Sequence, residues 1–261
     1  MIQPPPAITP KQNYITDGLI AWYDASNNQN GTHDLDSTVW KDISGNENHI
    51  DFTEPFGSAN PSSEKIAWTN SSLIIQEGGG YIKFPSDVTE NFWGNNYTIE
   101  IVTSNLSYDD SVPYFKLFQS DNDELAAYVR VDENMKLWLK NNDSNGDSFR
   151  PTIYDSWDYI NNKTLAFTSD LTAFDGIQDI NTNPNQPGNV HIYSNGVQIA
   201  KGESRLDMYI GDLALGDPNW SGSIHSIRIY NRTLTQEELE INAIADQFYY
   251  RSTIDSNSAQ N

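Results

Sequence analysis

The segment Gly222–Glu240, with the sequence GSIHSIRIYNRTLTQEELE, decides the fold because a strand pattern passes directly into a helix start. Its first half is rich in isoleucine and has a period near two, which is typical of a β-strand. This period assigns one face to Ile224, Ser226, Arg228 and Tyr230 and the other face to His225, Ile227 and Ile229. We therefore expect a long strand here, with a helix that docks directly after it.

The second half of the segment carries two local signals for the beginning of a helix. Thr235 and Glu238 have the spacing of a capping box, in which each side chain bonds the backbone N–H of the other residue. Leu234 and Leu239 have the spacing of a hydrophobic staple across the same turn. Beyond this start, apolar residues recur at helical spacing and predict one buried stripe of Ile241, Ile244, Ala245 and Phe248.

The chain of 261 residues is strongly acidic, with 36 acids, 15 bases and a net charge of −21. Such a surface repels the phosphates of nucleic acids and of anionic membranes, so we expect no nucleic-acid partner. No stretch approaches the roughly 20 apolar residues of a membrane helix, so we expect no membrane insertion. The chain has no cysteine, which excludes disulfides, thiolate zinc sites and thiol nucleophiles.

Short alternating segments follow one another along the chain, separated by loops rich in Asn, Asp, Ser and Gly. The predicted strands before the closing segment are Gly18–Asp24, Tyr81–Phe84, Tyr97–Val102, Tyr114–Phe118, Ala126–Val131, Met135–Lys140, Lys163–Thr168 and Met208–Ile210. Asn195-Gly196, between two alternating runs in Val190–Ala200, is a strong signal for a hairpin with a type I′ turn. The pattern predicts an all-β fold, a two-sheet antiparallel jelly-roll sandwich with a short C-terminal helix.

The chain divides into a Pro-rich arm at 1–16, one sandwich domain at 17–250 and a polar tail at 251–261. The arm contains QPPPAITP, which favours an extended polyproline conformation and cannot form a helix. Two interpretations of the arm stay open, a disordered tail and an arm that docks on a neighbouring subunit. The arm has neither the basic nor the apolar region of a signal peptide, so we expect none there.

Several pieces of the chain occur in an informative order. GLIAWYD at Gly18–Asp24 is followed by D-x-S-G-N-x-N-H within Val39–Phe52, by L-Y-x-N-G-like HIYSNG within Val190–Ala200, and by the closing strand and helix. In this order they resemble the laminin-G-like domains of the concanavalin A-like lectin/glucanase superfamily, in its bacterial and phage branch. The resemblance covers roughly Gly18–Phe248, although 104–179 matches only in strand patterning. It implies a concanavalin A-like sandwich that binds carbohydrate or protein.

The resemblance also implies a structural Ca²⁺ site, which this sequence puts in doubt. The closing strand of the superfamily often carries an acid that helps to hold the ion, and His225 stands in that place here. Calcium prefers hard oxygen ligands, and an imidazole is a poor substitute. Asp24 is the remaining acid that we predict as a metal ligand. The interpretation we favour for His225 is a half-buried histidine whose nitrogens are satisfied by backbone groups.

No catalytic residues are predicted from the sequence. Enzymes of the superfamily that cleave β-glucans carry two acids on one strand in an E-x-D-x-x-E pattern, whereas Glu100 stands alone in YTIEIV. The sequence contains no G-x-S-x-G elbow and no H-E-x-x-H zinc motif. A glycoside hydrolase is therefore the less favoured interpretation.

Two loops combine aromatic rings with amide or carboxylate side chains, the mixture that binds sugars through C–H faces and hydroxyls. The predicted ligand-binding residues are Trp93, Asn95, Tyr154, Asp155, Trp157, Asp158 and Tyr159. A tryptophan in a loop is costly to leave in water without a purpose. The alternative is that these rings cover the ends of the core.

These observations favour a non-catalytic module that binds carbohydrate or a cell surface. The setting we predict is a phage virion, as a tail, baseplate or head-surface protein that contacts the host envelope; an extracellular protein is the alternative. Its partners would be a glycan or host cell-surface polymer and, through the arm, other virion subunits, with a homo-oligomer left open. The second hypothesis is a purely structural decoration or scaffold protein of a virion.

Overall fold

The computed structural model describes residues 14–56, 65–79, 81–90, 96–121, 125–130, 136–141, 152–153, 157–170, 190–202, 212–216 and 218–258. The strands are β1 Leu19–Asp24, β2 Val39–Trp40, β3 Ile50–Asp51, β4 Ile66–Trp68, β5 Leu73–Ile75, β6 Ile82–Lys83, β7 Tyr97–Tyr108, β8 Tyr114–Ser120, β9 Leu125–Arg130, β10 Lys136–Asn141, β11 Thr152–Ile153, β12 Thr164–Ser169, β13 Val190–Ser194, β14 Val197–Gly202, β15 Leu213–Leu215 and β16 Trp220–Tyr230. The α-helices are α1 Ser86–Glu90, α2 Trp157–Ile160 and α3 Gln236–Ser258. The predicted strand at Met208–Ile210 lies outside the described residues.

The strands form two antiparallel sheets, which confirms the predicted jelly-roll sandwich with its C-terminal helix. The larger sheet has eight strands in the order β14-β13-β12-β7-β16-β5-β4, and β1 also pairs with β16. The smaller sheet has six strands in the order β11-β10-β9-β8-β15-β6, and β2 and β3 form a separate hairpin. β16 is central because it pairs with β7 along one side and with β1 and β5 along the other.

The hydrophobic core lies between the two sheets. Phe118 of the six-stranded sheet meets Phe167 of the eight-stranded sheet edge to face, with ring centroids 5.0 Å apart. On β7, Ile99 and Ile101 point into this core, whereas the intervening Glu100 belongs to the opposite face. The alternation that predicted the strands therefore separates a core face from a face covered by α3.

A β-bulge at His225 changes the side-chain order of the closing strand. Ile224 pairs with Thr103 of β7, whereas Ser226 pairs with the preceding residue, Val102, so His225 is the extra residue. Ile224 consequently packs in the main core together with Ile227. The prediction that Ile224 shares a face with Ser226 was wrong, because strict alternation does not anticipate an inserted residue.

Both local signals for the start of α3 are confirmed. The Thr235 hydroxyl oxygen accepts the N–H of Glu238 at 3.3 Å, and the Glu238 carboxylate accepts the N–H of Thr235 at 2.9 Å. Leu234 and Leu239 are buried in the same small hydrophobic cluster. Glu238 is further fixed by Arg232, whose Nη1 and Nη2 donate to its two oxygens.

The predicted apolar stripe of α3 was wrong for three of its four residues. Ala245 is buried, but Ile241, Ile244 and Phe248 are 46%, 66% and 66% exposed. The helix instead buries Asn242 and Asp246 against the eight-stranded sheet. Within the described part of the chain, no helix is both long and apolar enough to cross a bilayer.

The buried face of α3 is polar because the sheet face beneath it carries charge. The Nη1 and Nη2 groups of Arg228 donate to Asp246 at 2.8 and 2.6 Å, and its Nε donates to Glu100 at 2.8 Å. Asn242 donates to the same Glu100 oxygen at 2.8 Å. Tyr14 donates to Asp246 at 3.0 Å, which ties the beginning of the described chain into this cluster.

Candidate functional site

The D-x-S-G-N-x-N-H element folds into a loop around a single carboxylate. One Asp42 oxygen accepts the backbone N–H groups of Trp22 and Ser44, each at 2.8 Å. The other oxygen accepts the N–H of Asn48 at 3.1 Å. His49 Nδ1 accepts the N–H of Asp42 at 3.1 Å and closes the loop. The motif therefore has a structural purpose, which is to pin this loop onto β1.

Two amide side chains of the loop are held at the beginning of β1. Asn48 donates to the carbonyl oxygen of Ile20 at 2.7 Å, and Asn46 donates to the carbonyl oxygen of Leu19 at 3.0 Å. Asn231, which follows β16, donates its backbone N–H to Gly18 at 2.9 Å. The start of β1, the end of β16 and the loop consequently meet at one edge of the sandwich.

A polar cleft of about 620 Å³ opens at this edge, and we call it the rim cleft. It is lined by Gly18, Leu19, Ile20, Asn46, Asn48, Asp87, Glu90 and Asn231. The side chains with functional groups are three amides and two carboxylates, and the carboxylates belong to α1. Amides donate and accept hydrogen bonds and carboxylates accept them, so the cleft can bind a ligand with several hydroxyl groups.

A smaller cleft of about 250 Å³ lies beside the rim cleft. Its lining includes His49 and Ser86, the chain neighbours of Asn48 and Asp87, which line the rim cleft. Lys83 in this second cleft forms an ion pair with Asp212 at 2.8 Å. Residues of the same loop and of α1 therefore line both clefts.

Trp93 and Asn95, the first predicted ligand-binding pair, lie outside the described residues. The residues that flank their segment are described, and Glu90 lines the rim cleft. On the other flank, β7 begins at Tyr97, and Thr98 pairs with Tyr230 at the end of β16 that leads into the cleft. The segment that carries Trp93 thus leaves and rejoins the described chain at the edge where the rim cleft opens.

Only part of the second predicted group lies among the described residues. Tyr154 and Asp155 lie outside the described residues, whereas Trp157, Asp158 and Tyr159 lie on α2. Asp158 and Tyr159 are exposed, the latter to 42%.

The position of α2 follows from its contacts with the eight-stranded sheet. The carbonyl oxygens of Tyr159 and Ile160 accept from Ser194 at 2.8 Å and Thr103 at 3.0 Å. β12 leads from α2 toward the edge where β7 begins, and its six residues span about 17 Å. The structure therefore does not bring α2 to the rim cleft.

His225 has a structural role, but it is fully buried and not half-buried, and only one of its two partners is a backbone group. Its Nδ1 lies 2.8 Å from the carbonyl oxygen of Ser71, and its Nε2 lies 2.8 Å from the hydroxyl oxygen of Ser104. Burial lowers its pKa below the ordinary value, which keeps the ring neutral. Because a carbonyl oxygen only accepts, Nδ1 carries the proton and Nε2 accepts from Ser104.

Asp24 caps the 3₁₀ turn Ala25–Asn27 with its carboxylate. One oxygen accepts from the backbone N–H and the hydroxyl of Ser26, at 2.8 and 2.7 Å. Burial raises the pKa of Asp24 above its usual range, although the bonds from Ser26 and Tyr250 oppose this shift. No cluster of three or more His, Cys, Asp or Glu side chains suited to a metal occurs among the described residues. The hydrogen bonds described for Asp24 and His225 are with protein groups, and Asp24 as a metal ligand stays an untested prediction.

The sequence did not single out the residues that line the rim cleft. Asn46 and Asn48 belong to the D-x-S-G-N-x-N-H element, and this pattern by itself does not predict that they line a cleft. Asp87 and Glu90 directly precede the segment that contains Trp93, and this closeness in the chain was the available signal. Asn231 had no such signal, because it reaches the cleft only through the pairing of β1 with β16.

No protein-family model matches the chain, and no curated protein matches it significantly. Among solved structures, it is similar to domain 4 of AbnA, a GH43 extracellular arabinanase from Geobacillus stearothermophilus in complex with arabinotriose. The TM-score is 0.55 at 21% identity, over 86% of this chain and 98% of that chain. Such a likeness shows the fold alone.

Two further structures are similar over much of this chain. Trypanosoma rangeli sialidase in complex with sialic acid matches with a TM-score of 0.57 at 13% identity, over 92% of this chain and 34% of that chain. The receptor binding domain of botulinum neurotoxin C/D mosaic serotype matches with a TM-score of 0.56 at 15% sequence identity. This match covers 88% of this chain and 52% of that chain. This chain thus spans about a third of the sialidase and about half of the toxin chain. All three likenesses show the β-sandwich fold alone, and the concanavalin A-like superfamily and the laminin-G-like family stay predictions from the sequence.

Proposed function

We propose that this protein is a non-catalytic carbohydrate-binding module whose glycan binds in the rim cleft. The observation that carries the proposal is the convergence of Asn46, Asn48, Asp87, Glu90 and Asn231 on one open cleft. A ligand pocket usually combines a shaped cavity with a few convergent polar groups, and its volume is roughly 300–1,000 Å³. The rim cleft falls within this range.

The polar lining suits the hydroxyl groups of a sugar ring. Asn46 and Asn48 are fixed by bonds to the backbone of β1, so their remaining polar atoms are preorganised. Trp93, which the sequence predicts as a ligand-binding residue, follows Glu90 by three positions in the chain. A glycan would then stack on Trp93 and place its hydroxyls against the carboxylates and amides.

The likeness to solved structures supports this proposal in a limited way. The arabinanase domain was solved with arabinotriose and the sialidase with sialic acid, so this type of sandwich occurs in proteins that contact sugars. Their low identities do not transfer a ligand to this chain. The choice of the rim cleft therefore rests on its lining and not on these relatives.

A glycan array followed by calorimetry tests the proposed site. Trp93→Ala and Asn231→Ala should each weaken binding about tenfold, because one stacking ring or one polar contact to the ligand is lost. Glu77→Gln is the control, since Glu77 is exposed and follows β5, which pairs with the opposite end of β16. If both cleft variants bind with unchanged affinity, the glycan does not bind in the rim cleft. If the native protein binds no glycan, the proposed function is wrong.

A glycoside hydrolase is the second candidate, and one observation favours it. Asp87 and Glu90 are three residues apart on α1 and both line the rim cleft. Side chains with this spacing have Cβ atoms about 5–6 Å apart, so their carboxyl groups can reach the separation of about 5 Å that a retaining pair requires. Release of reducing ends from a bound polysaccharide, abolished by Glu90→Gln, would establish the enzyme and overturn the non-catalytic assignment.

We also propose that the module is carried on a virion, where its Pro-rich arm attaches it to other subunits. The support is the sequence alone, namely the Pro-rich arm and the lack of a predicted pair of catalytic acids. Deletion of 1–13 tests this proposal against an extracellular protein and against a purely decorative role. If the protein is a virion subunit, the deletion should prevent its incorporation into particles. If the subunit also binds the host, mutation of the rim cleft should reduce the attachment of particles to the host.

A further inference from the structure

The last residues of the Pro-rich arm, Tyr14 and Ile15, lie along α3. Ile15 donates its backbone N–H to the side chain of Asn242 at 2.9 Å, and Tyr14 donates its hydroxyl to Asp246 at 3.0 Å. The Tyr14 ring also stacks on the ring of Tyr249, with centroids 6.0 Å apart. From Ile15 back to Tyr14 the chain therefore runs toward the C-terminal end of α3. The segment 1–13, which lies outside the described residues, joins it beside Tyr249.

Two aromatic rings of α3 lie at this junction, and we call them the aromatic ledge. The rings of Phe248 and Tyr249 meet edge to face, with centroids 5.4 Å apart. Phe248 is 66% exposed, and Ile244, one turn earlier, is exposed to the same extent. The exposed ring is therefore part of an apolar patch, the kind of surface that marks an interaction site in soluble proteins.

The hydroxyl of Tyr249 is an independent sign of a missing partner. It is buried, and it has no hydrogen-bond partner among the described residues. Buried polar groups are normally paired, and a tyrosine hydroxyl can donate to a backbone carbonyl. A segment that fits the ledge has to offer an apolar surface together with a hydrogen-bond acceptor.

The segment 1–13 has this chemistry in its sequence. It contains QPPPAITP, whose prolines are apolar and have no backbone N–H, so carbonyl groups of a polyproline stretch are available as acceptors. Pro-rich segments bind aromatic-lined grooves in several recognition domains. The segment has no acid and one base, Lys11, whereas α3 has acids and no base before Tyr249. The charges of the two partners are therefore complementary.

We propose that the segment 1–13 binds the aromatic ledge of its own chain, where a carbonyl group of the polyproline stretch accepts from the Tyr249 hydroxyl. Tethering favours the same chain, because a segment joined beside the ledge has a roughly millimolar effective concentration there. At about 3.1 Å per residue, a polyproline helix of this segment is long enough to pass Phe248. This inference goes beyond carbohydrate binding. Attachment of the arm to another subunit would then require an exchange that uncovers the ledge.

Limited trypsin digestion of the full chain tests the contact, since cleavage after Lys11 follows the population in which the segment is off the ledge. Mass spectrometry detects the loss of residues 1–11. Tyr249→Phe removes only the hydroxyl and Phe248→Ser removes the exposed ring, so each should raise the cleavage rate about threefold. The control is Leu35→Ser on the loop before β2, where the side chain is 53% exposed, and it should leave the rate unchanged.

The cleavage rate decides between the possible occupants of the ledge. Acceleration in both ledge variants, at a rate that does not depend on protein concentration, supports binding within the chain. An unchanged rate in either ledge variant, with circular dichroism showing a folded protein, would overturn it. Protection that increases with protein concentration, together with a dimer in light scattering, would also overturn it and assign the ledge to a second copy.

Discussion

A histidine on the closing strand shows how one residue can replace the acid that a resemblance implies. The bulge at His225 turns its ring toward α3, where it lies 5.3 Å from the ring of Tyr250. Both ring nitrogens have partners, and burial favours the neutral ring because it penalises the charged form. A buried neutral histidine makes the folded state sensitive to acid.

The stability that depends on His225 should fall as the pH falls below its ordinary pKa of about 6.5. The folded pKa is lowered, so the unfolded chain takes up the proton first, and the loss continues down to the folded pKa at up to about 1.4 kcal/mol per pH unit. Asp24 and Glu100 have raised pKa values and act in the opposite direction. His225→Gln keeps a hydrogen-bond donor and an acceptor but does not titrate. The free energy of unfolding in urea is measured for this variant and for the native protein across the pH range. The difference between the two isolates the contribution of His225 protonation. A difference that is flat between about pH 7 and pH 5 would contradict it.

The two carboxylates on Arg228 should respond differently to neutralisation. Asp246 accepts from Tyr14 and Thr164 as well as from both terminal nitrogens of Arg228. Glu100 has one oxygen without a partner, and burial raises its pKa despite the opposing charge of Arg228. Asp246→Asn should therefore cost about 3–5 kcal/mol, and Glu100→Gln less than about 1 kcal/mol, of unfolding free energy. Chemical denaturation measures both losses of unfolding free energy. Equal losses would contradict the prediction and show that the two acids contribute equally to stability.

At the scale of elements, features that depend on residues within one turn could be predicted from the sequence. Features that depend on the surface against which an element packs could not. The capping box of Thr235 and Glu238 is a bond between neighbours in the chain. The Asn195-Gly196 turn is equally local, and both residues have the positive φ that a type I′ turn requires, 50° and 79°. The apolar stripe failed because the sheet beneath α3 carries Arg228, and a helix periodicity contains no information about that surface.

Because of the orientation of α3, we expect its exposed hydrophobic side chains to contribute little to the stability of the fold. Ile244→Ser should change the unfolding free energy by no more than about 0.5 kcal/mol, because that side chain is mostly in water and the two residues have similar helix propensities. Leu239→Ala removes a side chain that is 1% exposed and should cost about 2–5 kcal/mol. Thermal unfolding followed by circular dichroism compares them directly. A large loss of unfolding free energy in Ile244→Ser would contradict the exposed position of this side chain and support the predicted apolar stripe as the buried face of α3.

At the scale of the whole molecule, the two-sheet architecture could be predicted from strand pattern and order, but the rim cleft could not. Its lining comes from four regions of the chain, around positions 18–20, 46–48, 87–90 and 231. These regions meet only because β1 pairs with the end of β16 and because Asp42 pins its loop onto β1. Trp93 was predictable as a candidate because its residue type is informative by itself, whereas asparagines in an Asn-rich chain are not.

Charge also acts on the molecule as a whole, and it predicts how the fold responds to salt. The net charge of −21 produces repulsion that is stronger in the compact state than in the unfolded chain. Raising the salt from about 0.01 M to about 0.15 M shortens the Debye length from about 30 Å to about 8 Å and should raise Tm by several degrees.

Surface ion pairs such as Lys83–Asp212 act against this rise, but each contributes only about 0–1 kcal/mol. Calorimetric melts of the native protein and of a variant with Glu54→Gln and Glu77→Gln, both at exposed acids, test the balance. The variant should melt higher at low salt and gain less from added salt, because part of the repulsion is already gone. A Tm that falls as salt is added would mean that specific ion pairs, and not the net charge, dominate the electrostatic free energy of this fold.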